Sequence, residues 1–265
     1  MKPKRTLIIG DIHGNYEALK KALEISKFDI TNDRIICIGD YVDGWPNSFE
    51  VVNTLLEIKN NSRYENIFLM GNHDKWFLDI LSDDFENLRN ENYLKTEHES
   101  WYIQGGKQTL DSYLKYDDLL INNHYEYFFK ELKYYHLEDN KLFVHAGFDP
   151  KLGFKFTLKS KPRELIWNRS LFREALNKYL INENLRKMNR EIKEYQFDDF
   201  DKIFIGHTPT ILQGYDQPLI MGNLINVDQG CKKNGRLTIW VEETNEFYQT
   251  NSKENGFKNH SAIYE

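Results

Sequence analysis

Cysteine is scarce in this 265-residue chain: only Cys37 and Cys231 occur, each in an apolar, strand-like context. Two such thiols read as buried and free rather than as a disulfide. Long hydrophobic runs are missing as well. The longest apolar stretches are strand-sized, so none can span a bilayer, and a membrane partner is not expected. At the N-terminus, basic residues precede an apolar run that reaches Asp11 after only a few residues, too short for a signal-peptide core. The expected location is the cytoplasm. A basic excess is also absent: 35 Lys and Arg stand against 41 Asp and Glu, a net charge of −6. That balance speaks against a global basic surface for nucleic acid. The aromatic load of 14% gathers largely in one polar segment, where it reads as insertion core rather than a base-stacking platform.

What is present is a recurring corner. An apolar, β-rich run ends abruptly in glycine followed by a polar side chain three times in the first third of the chain. These are Leu7–Gly10 before Asp11, Arg34–Gly39 before Asp40, and Ile67–Gly71 before Asn72. Side chains just past a buried strand sit at the carboxyl edge of a sheet, where open α/β sheets bind ligands. The length suits one domain, or one core with insertions.

In chain order, Thr6–Ile9 reads as a buried strand, and Asn15 suits the cap of a helix with Leu19, Ala22 and Leu23 inward. Arg34–Ile38 is a second strand. Ser48 suits a cap for a helix carrying Val51, Val52, Leu55 and Leu56, and Tyr64–Met70 a third strand. This β-α-β-α-β order predicts a largely parallel sheet with right-handed crossovers. From Trp76 to about Tyr135 the chain turns polar and helical, as an insertion beside the site. Strands resume at Lys133–Glu138 and Lys141–His145 around the turn signal Asp139-Asn140. A second insertion runs from about Phe148 to Phe200, with a charged helix near Leu171–Lys193. Ile203–Ile205 and Leu224–Val227 follow, and Leu237–Val241 alternates like a final strand. From Asn251 the composition suggests a loose tail.

Taken alone, any one of these corners is better explained as a turn whose Asp caps a helix. The joint pattern carries more. Asp11, His13, Asp40, Asn72, His145 and His207 each lie at or just past a strand end, and such ends gather along one sheet edge. Carboxylate, amide and imidazole donors together suit Mn²⁺, Fe or Zn²⁺ better than Ca²⁺ or Mg²⁺. Six ligands suffice for two ions if one carboxylate is shared. Two ions about 3.5–4 Å apart can hold a bridging hydroxide and clamp a phosphoryl group during in-line displacement.

At this point the chain resembles the calcineurin-like metallophosphoesterase superfamily, in its phosphoprotein-phosphatase branch of bacteria and phages. The resemblance rests on Gly10–Gly14, Gly39–Trp45, Gly71–Asp74, His145–Gly147 and Gly206–Thr208, which stand in that family's order. It implies an α/β fold with a central β-sandwich flanked by helices. Residues 1–250 would form a single metallophosphoesterase domain with helical insertions at about 76–132 and 148–200, followed by a polar tail at 251–265. It assigns Asp11 and His13 to a first metal, Asn72, His145 and His207 to a second, and Asp40 to both. The two divalent ions would be manganese foremost, with iron or zinc as alternatives. His73 takes the place of the family's general acid and Asp43 that of its orienting carboxylate. A carboxylate accepting from the ring fixes the tautomer and favours the imidazolium that protonates the leaving alkoxide.

One departure stands out: where the family has Arg-Gly after the second Asp, this chain has Gly44-Trp45. The usual arginine makes a bidentate contact to the substrate phosphate, which glycine cannot. Arg169, in a Trp-Asn-Arg segment similar to one that supplies a phosphate-binding arginine in bacterial relatives, is the first candidate to replace it. Arg163 and Lys75 read better as solvated charges. Trp45 either lines the pocket or packs against an insertion. His98, His124 and His136, away from the corners, read as surface residues, and Asp228 as support behind the site. The resemblance implies a hydrolase acting on phosphorylated proteins, of serine/threonine type, or on another small phosphoester. A symmetrical dinucleoside polyphosphate hydrolase is the rival. A non-catalytic metal-binding scaffold fits less well, because every ligand and the His73–Asp43 pair are present.

Overall fold

The computed structural model describes residues 2–193 and 195–251. Two sheets face each other. The first has the strand order β11-β10-β1-β2-β3, from β1 (Arg5–Ile9), β2 (Asp33–Cys37), β3 (Ile67–Phe68), β10 (Arg236–Val241) and β11 (Phe247–Asn251); β9 (Asp228–Gln229) also pairs with β10. The second has the order β4-β5-β6-β8-β7, from β4 (Tyr135–Glu138), β5 (Lys141–Val144), β6 (Lys202–Ile205), β7 (Leu219–Met221) and β8 (Leu224–Asn226). This is the α/β sandwich that the motif resemblance implies. The simple parallel sheet is corrected: β1, β2 and β3 are parallel, but β10 and β11 add antiparallel partners, and the second sheet is mixed too.

Strand alternation makes this layering possible. Along β1, Leu7 and Ile9 face the helices while Ile8 points between the sheets, and Ile35, Cys37 and Ile36 repeat the pattern on β2. The inter-sheet layer joins Ile8, Ile36, Phe143, Phe204, Ile225 and Trp240. With apolar residues on both faces, each strand reads as a continuous hydrophobic run. Helices α1 (Tyr16–Ile25) and α2 (Ser48–Asn61) cover the outer face of the first sheet; the helices Phe154–Ser160 and Ser170–Lys187 contribute to the core on the outer face of the second.

Several local expectations hold and others shift. Asn15 caps α1 by accepting from the Ala18 N–H at 3.0 Å. Ser48 is not a cap: it is the first residue of α2, and its hydroxyl is engaged with Thr109 at 3.0 Å. The third strand is shorter than expected, Ile67–Phe68; just past it Leu69 still donates to the Cys37 carbonyl at 3.0 Å while bridging to Lys133 on its other side. Asp139 and Asn140 turn the β4–β5 hairpin with φ of 46° and 57°, the left-handed pair such a turn requires. The charged helix ends at Lys187 rather than Lys193. Strand β10 is not the last, since β11 follows it; Asn251 therefore closes a strand, and the rest of the expected tail lies outside the described residues.

Both cysteines are buried and free. No helix among the described residues is long and apolar enough to cross a membrane.

Candidate metal centre and its flanking histidine

Each corner places its side chains at the carboxyl end of a strand. Asp11 and His13 follow β1, Asp40 and Asp43 follow β2, Asn72 and His73 open α3 (Asn72–Asp83), His145 follows β5 and His207 follows β6. The corners approach one another so closely that glycine is obligatory before the functional residue. A Cβ on Gly71 would lie 2.0 Å from Asp40 Oδ1, and one on Gly206 would lie 2.1 Å from Asp11 Oδ1. The backbone is strained at the same points. His13, Asp40, Asp43 and His207 adopt positive φ of 53°, 55°, 69° and 63°. Such conformations are unfavourable for non-glycine residues by roughly 1 kcal/mol or more each, and they collect where function demands them.

Asp40 is the centre of the cluster. Its Oδ2 lies 3.5 Å from His13 Nε2 and 3.4 Å from His145 Nε2, while Oδ1 accepts from the His73 backbone N–H at 3.0 Å. Two buried groups of ligand-type side chains share it, one with His13 and His73 and one with His145 and His207. Asn72 Oδ1 lies 3.3 Å from His145 Nε2, and Asp11 Oδ2 lies 4.0 Å from His13 Nε2.

The outer hydrogen bonds fix which ring nitrogens face inward. His145 Nδ1 meets the Ile38 carbonyl at 2.9 Å, and His13 Nδ1 meets the Val42 and Asp43 carbonyls at 3.0 and 2.8 Å. Carbonyls only accept, so these Nδ1 atoms carry the protons and Nε2 offers a lone pair to the cluster. His207 is reversed: Nε2 donates to the Trp167 carbonyl at 3.2 Å, leaving Nδ1 as the free acceptor. With each ring neutral, these bonds aim the lone pairs of His13, His145 and His207 at Asp40, where a bound cation, or without one a proton on His145, offsets the negative charge. Asp11 Oδ1 is buried with no hydrogen-bond partner, as is Asp228 Oδ2. The cluster fits divalent cations, whose charge would satisfy all of these acceptors together.

Protonation equilibria report the same demand for positive charge. Burial disfavours an imidazolium at His145, yet the carboxylates of Asp40, Asp11 and Asp74 outweigh it and push the ring up to about 9. Burial and then the neighbouring Asp228 raise Asp11 well above the usual carboxylate range. Asp40 goes the other way: burial opposes its charge, but His145, His73 and His13 hold it well below that range. Burial drives His13 and His207 well below their ordinary value, with Lys232 and His145 respectively adding repulsion.

Beside this cluster, His73 Nδ1 meets Asp43 Oδ2 at 2.7 Å. The first insertion holds that carboxylate. Asp43 Oδ1 accepts from Trp101 Nε1 at 3.0 Å and from Thr109 Oγ1 at 2.7 Å, and the Asp43 N–H donates to Thr109 Oγ1 at 2.8 Å. Asp74 clamps the corners from behind, accepting from the N–H groups of Gly71, Asp40 and Tyr41. Burial and the Asp40 charge raise Asp74 to about 7.

A family model described as calcineurin-like phosphoesterase matches residues 4–210. The chain belongs to the calcineurin-like phosphoesterase family. It is 40% identical over 76 residues to a symmetrical bis(5'-nucleosyl)-tetraphosphatase of Coxiella burnetii (strain RSA 493 / Nine Mile phase I), covering 29% of this chain. That stretch spans only 24% of the relative's own length. It is 24% identical over 241 residues to serine/threonine-protein phosphatase 2 of Escherichia coli (strain K12), covering 88% of this chain and 90% of the relative. The fold is similar to that of a cold-active protein-tyrosine phosphatase from a psychrophilic Shewanella species. The TM-score is 0.55 at 17% identity, covering 95% of this chain and 78% of that one.

All six residues expected as metal ligands come together, with His73 and Asp43 adjoining them. Arg169 also reaches the site: although exposed as a residue, it donates from Nη2 to the His207 carbonyl at 3.4 Å. Arg163 is exposed, and Lys75 pairs with Asp79 on its own helix. Trp45 does not simply fill space against an insertion, for its Nε1 donates to the Cys231 carbonyl at 2.8 Å. His124 is a correction. It is buried, stacks on Phe49 at 4.3 Å and lies 3.1 Å from the Tyr113 hydroxyl, because the insertion folds onto α2. His98 and His136 are part-buried, His98 beside Asp84 and His136 beside Glu138. Lys232, Trp101 and Thr109 went unread in the sequence. Lys232 has a signal there, standing just after an Asp-x-Gly corner; Trp101 and Thr109 lie in the insertion with no motif around them.

Proposed function

We propose that this chain is a metal-dependent phosphoester hydrolase whose foremost substrates are phosphorylated proteins, of the serine/threonine type. The observation that carries this reading is the convergence of buried imidazoles on Asp40, with the Asp43–His73 pair alongside. Asp11 and His13 would hold one divalent ion, Asn72, His145 and His207 a second, and Asp40 both. Manganese is the foremost choice, with iron or zinc as alternatives. Bound there, such ions supply Lewis acidity toward phosphoryl oxygens and a water activated near neutral pH.

The protein's own residues do the rest. Asp43 accepts from Nδ1–H of His73 and so points Nε2 toward the cluster, where a leaving oxygen would take its proton. Arg169 stands at the His207 end, placed to neutralise phosphate charge. The strained corners and the Asp74 clamp preorganise the ligands, so that little rearrangement accompanies reaction. Residues 1–250 are read as one catalytic domain, with 76–132 and 148–200 as helical insertions.

A second reading, hydrolysis of symmetrical dinucleoside polyphosphates, has its own support. Trp76 lies edge-on to His73 at 5.1 Å and to Trp167 at 4.9 Å, and Trp167 is 39% exposed near His207. An aromatic rim of this kind suits a nucleobase next to the phosphates. A competition for turnover between a phosphoserine peptide and diadenosine tetraphosphate decides between the readings. Higher kcat/KM for the peptide supports the first, and higher kcat/KM for the dinucleotide overturns it.

A further inference from the structure

At position 44 this chain offers glycine where related motifs offer a phosphate-gripping arginine, and the space beside it is already taken. A Cβ on Gly44 would lie 3.1 Å from Lys232 Cγ, 3.3 Å from the His13 carbonyl and 3.4 Å from His13 Cβ. A side chain at position 44 and the stem of Lys232 thus compete for one volume. Gly44 also has a positive φ of 134°, which any larger residue would resist. Lys232 Nζ ends 2.9 Å from His73 Nε2, the ring nitrogen facing away from Asp43.

The loop that carries Lys232 is built to hold it there. After β9, Gly230 and Asn234 take positive φ of 81° and 80°, and the N–H groups of Lys233 and Gly235 both donate to the Gly230 carbonyl at 2.9 Å. Trp45 then pins the loop through its bond to the Cys231 carbonyl, one residue before Lys232. The two unusual residues therefore belong to one arrangement: Gly44 clears the space, Trp45 anchors the loop, and Lys232 occupies the space.

Resting on the hydrolase reading above, we infer that Lys232 is the cation that grips the substrate phosphoryl group in place of the arginine missing at position 44. An ammonium has three protons to donate; at most one goes to His73 Nε2, and none when that nitrogen carries the proton meant for the leaving oxygen. Burial strips Lys232 of much of its water, and Asp40, Asp43 and Asp11 surround it with negative charge. Such desolvation strengthens a charge-assisted bond to a phosphate oxygen. Arg169 lies at the His207 end of the cluster and Lys232 at the His13–His73 end, so a phosphate over the cluster is held from both sides. Lysine contacts phosphate as a point charge, without the bidentate geometry of arginine.

The test titrates inorganic phosphate calorimetrically into the manganese-loaded protein and measures p-nitrophenyl phosphate kinetics in parallel. Lys232→Gln should weaken phosphate binding by roughly tenfold or more, the range of a lost charge-assisted hydrogen bond. Lys232→Arg should restore most of it, and Lys233→Gln, an exposed neighbour, should match wild type. A thermal melt checks the fold; should Lys232→Gln unfold, Trp45→Phe, which loosens the loop, should weaken phosphate binding in the same direction. Unchanged phosphate affinity in a folded Lys232→Gln protein, even with reduced turnover, would overturn the inference, since Lys232 would then serve only His73. If wild type binds phosphate yet hydrolyses no phosphoester, the hydrolase reading fails while the phosphate titration still judges Lys232.

Discussion

Thr109→Val probes whether the first insertion holds the Asp43–His73 pair in place. Valine keeps the shape of threonine and removes one oxygen. That oxygen donates to Asp43 Oδ1, accepts from the Asp43 N–H and meets Ser48, all within a buried environment. Losing a hydrogen bond to a carboxylate costs about 1.5–3 kcal/mol, and an orphaned buried N–H adds about 1–3 kcal/mol before relaxation. With partial relaxation the expected loss is about 3 kcal/mol, a fall in Tm of roughly 10 °C for a chain of this size. Trp101 still donates to Asp43 Oδ1, so the carboxylate stays near His73 but less firmly aimed. Turnover of p-nitrophenyl phosphate should fall by about tenfold, a part of what general acid catalysis contributes. Urea unfolding with an unchanged m-value gives the stability, and steady-state kinetics the turnover. A loss below about 1 kcal/mol with unchanged turnover would refute the reasoning, since the hydroxyl would then be worth less than one such bond.

Other consequences are open to direct measurement. Burial holds His124 at about 4, below the roughly 6.5 of an unfolded histidine, so the unfolded chain binds the extra proton between those values. Stability should therefore drop as pH falls from about 6.5 toward about 4, by up to about 3 kcal/mol; His124→Gln should flatten that slope in urea midpoints, and identical slopes would contradict the account. Gly206→Ala places a methyl 2.1 Å from Asp11 Oδ1, so calorimetry should show weakened binding of manganese with the fold retained in circular dichroism. Phe204 is fully buried and stacked on Phe143 at 5.1 Å between the sheets. Phe204→Ala should lose about 3–5 kcal/mol in urea unfolding.

The site was legible in the sequence because its chemistry is local: every corner but that of His145 pairs a strand end with a glycine that close approach explains. Gly71 and Gly206 show why, for nothing larger fits against Asp40 and Asp11. The parallel start of the first sheet was legible for the same reason, since β1, β2 and β3 follow one another with a helix between. What sequence did not show depends on contacts far along the chain. Strand β11 exists by pairing with β10, and the chain just past β3 bridges to Lys133, neither of which has a local signature. His124 becomes core only because the insertion packs on α2, and Ser48 sits inside the helix with its hydroxyl bonded to Thr109, 61 positions away. Lys232 reaches His73 across a separation of 159 residues, so the missing arginine at position 44 could be noticed in the sequence but not its replacement.

The central claim is that Asp40 serves two metal positions at once, and counting bound metal tests it most directly. Manganese titration of the metal-stripped protein, with p-nitrophenyl phosphate turnover followed on the same samples, should give about two ions per chain and activity that rises with occupancy. Asp40→Asn should weaken both sites together and lower turnover by at least about a hundredfold. One ion per chain, full activity without metal, or an Asp40→Asn protein that loses only one site would contradict the account.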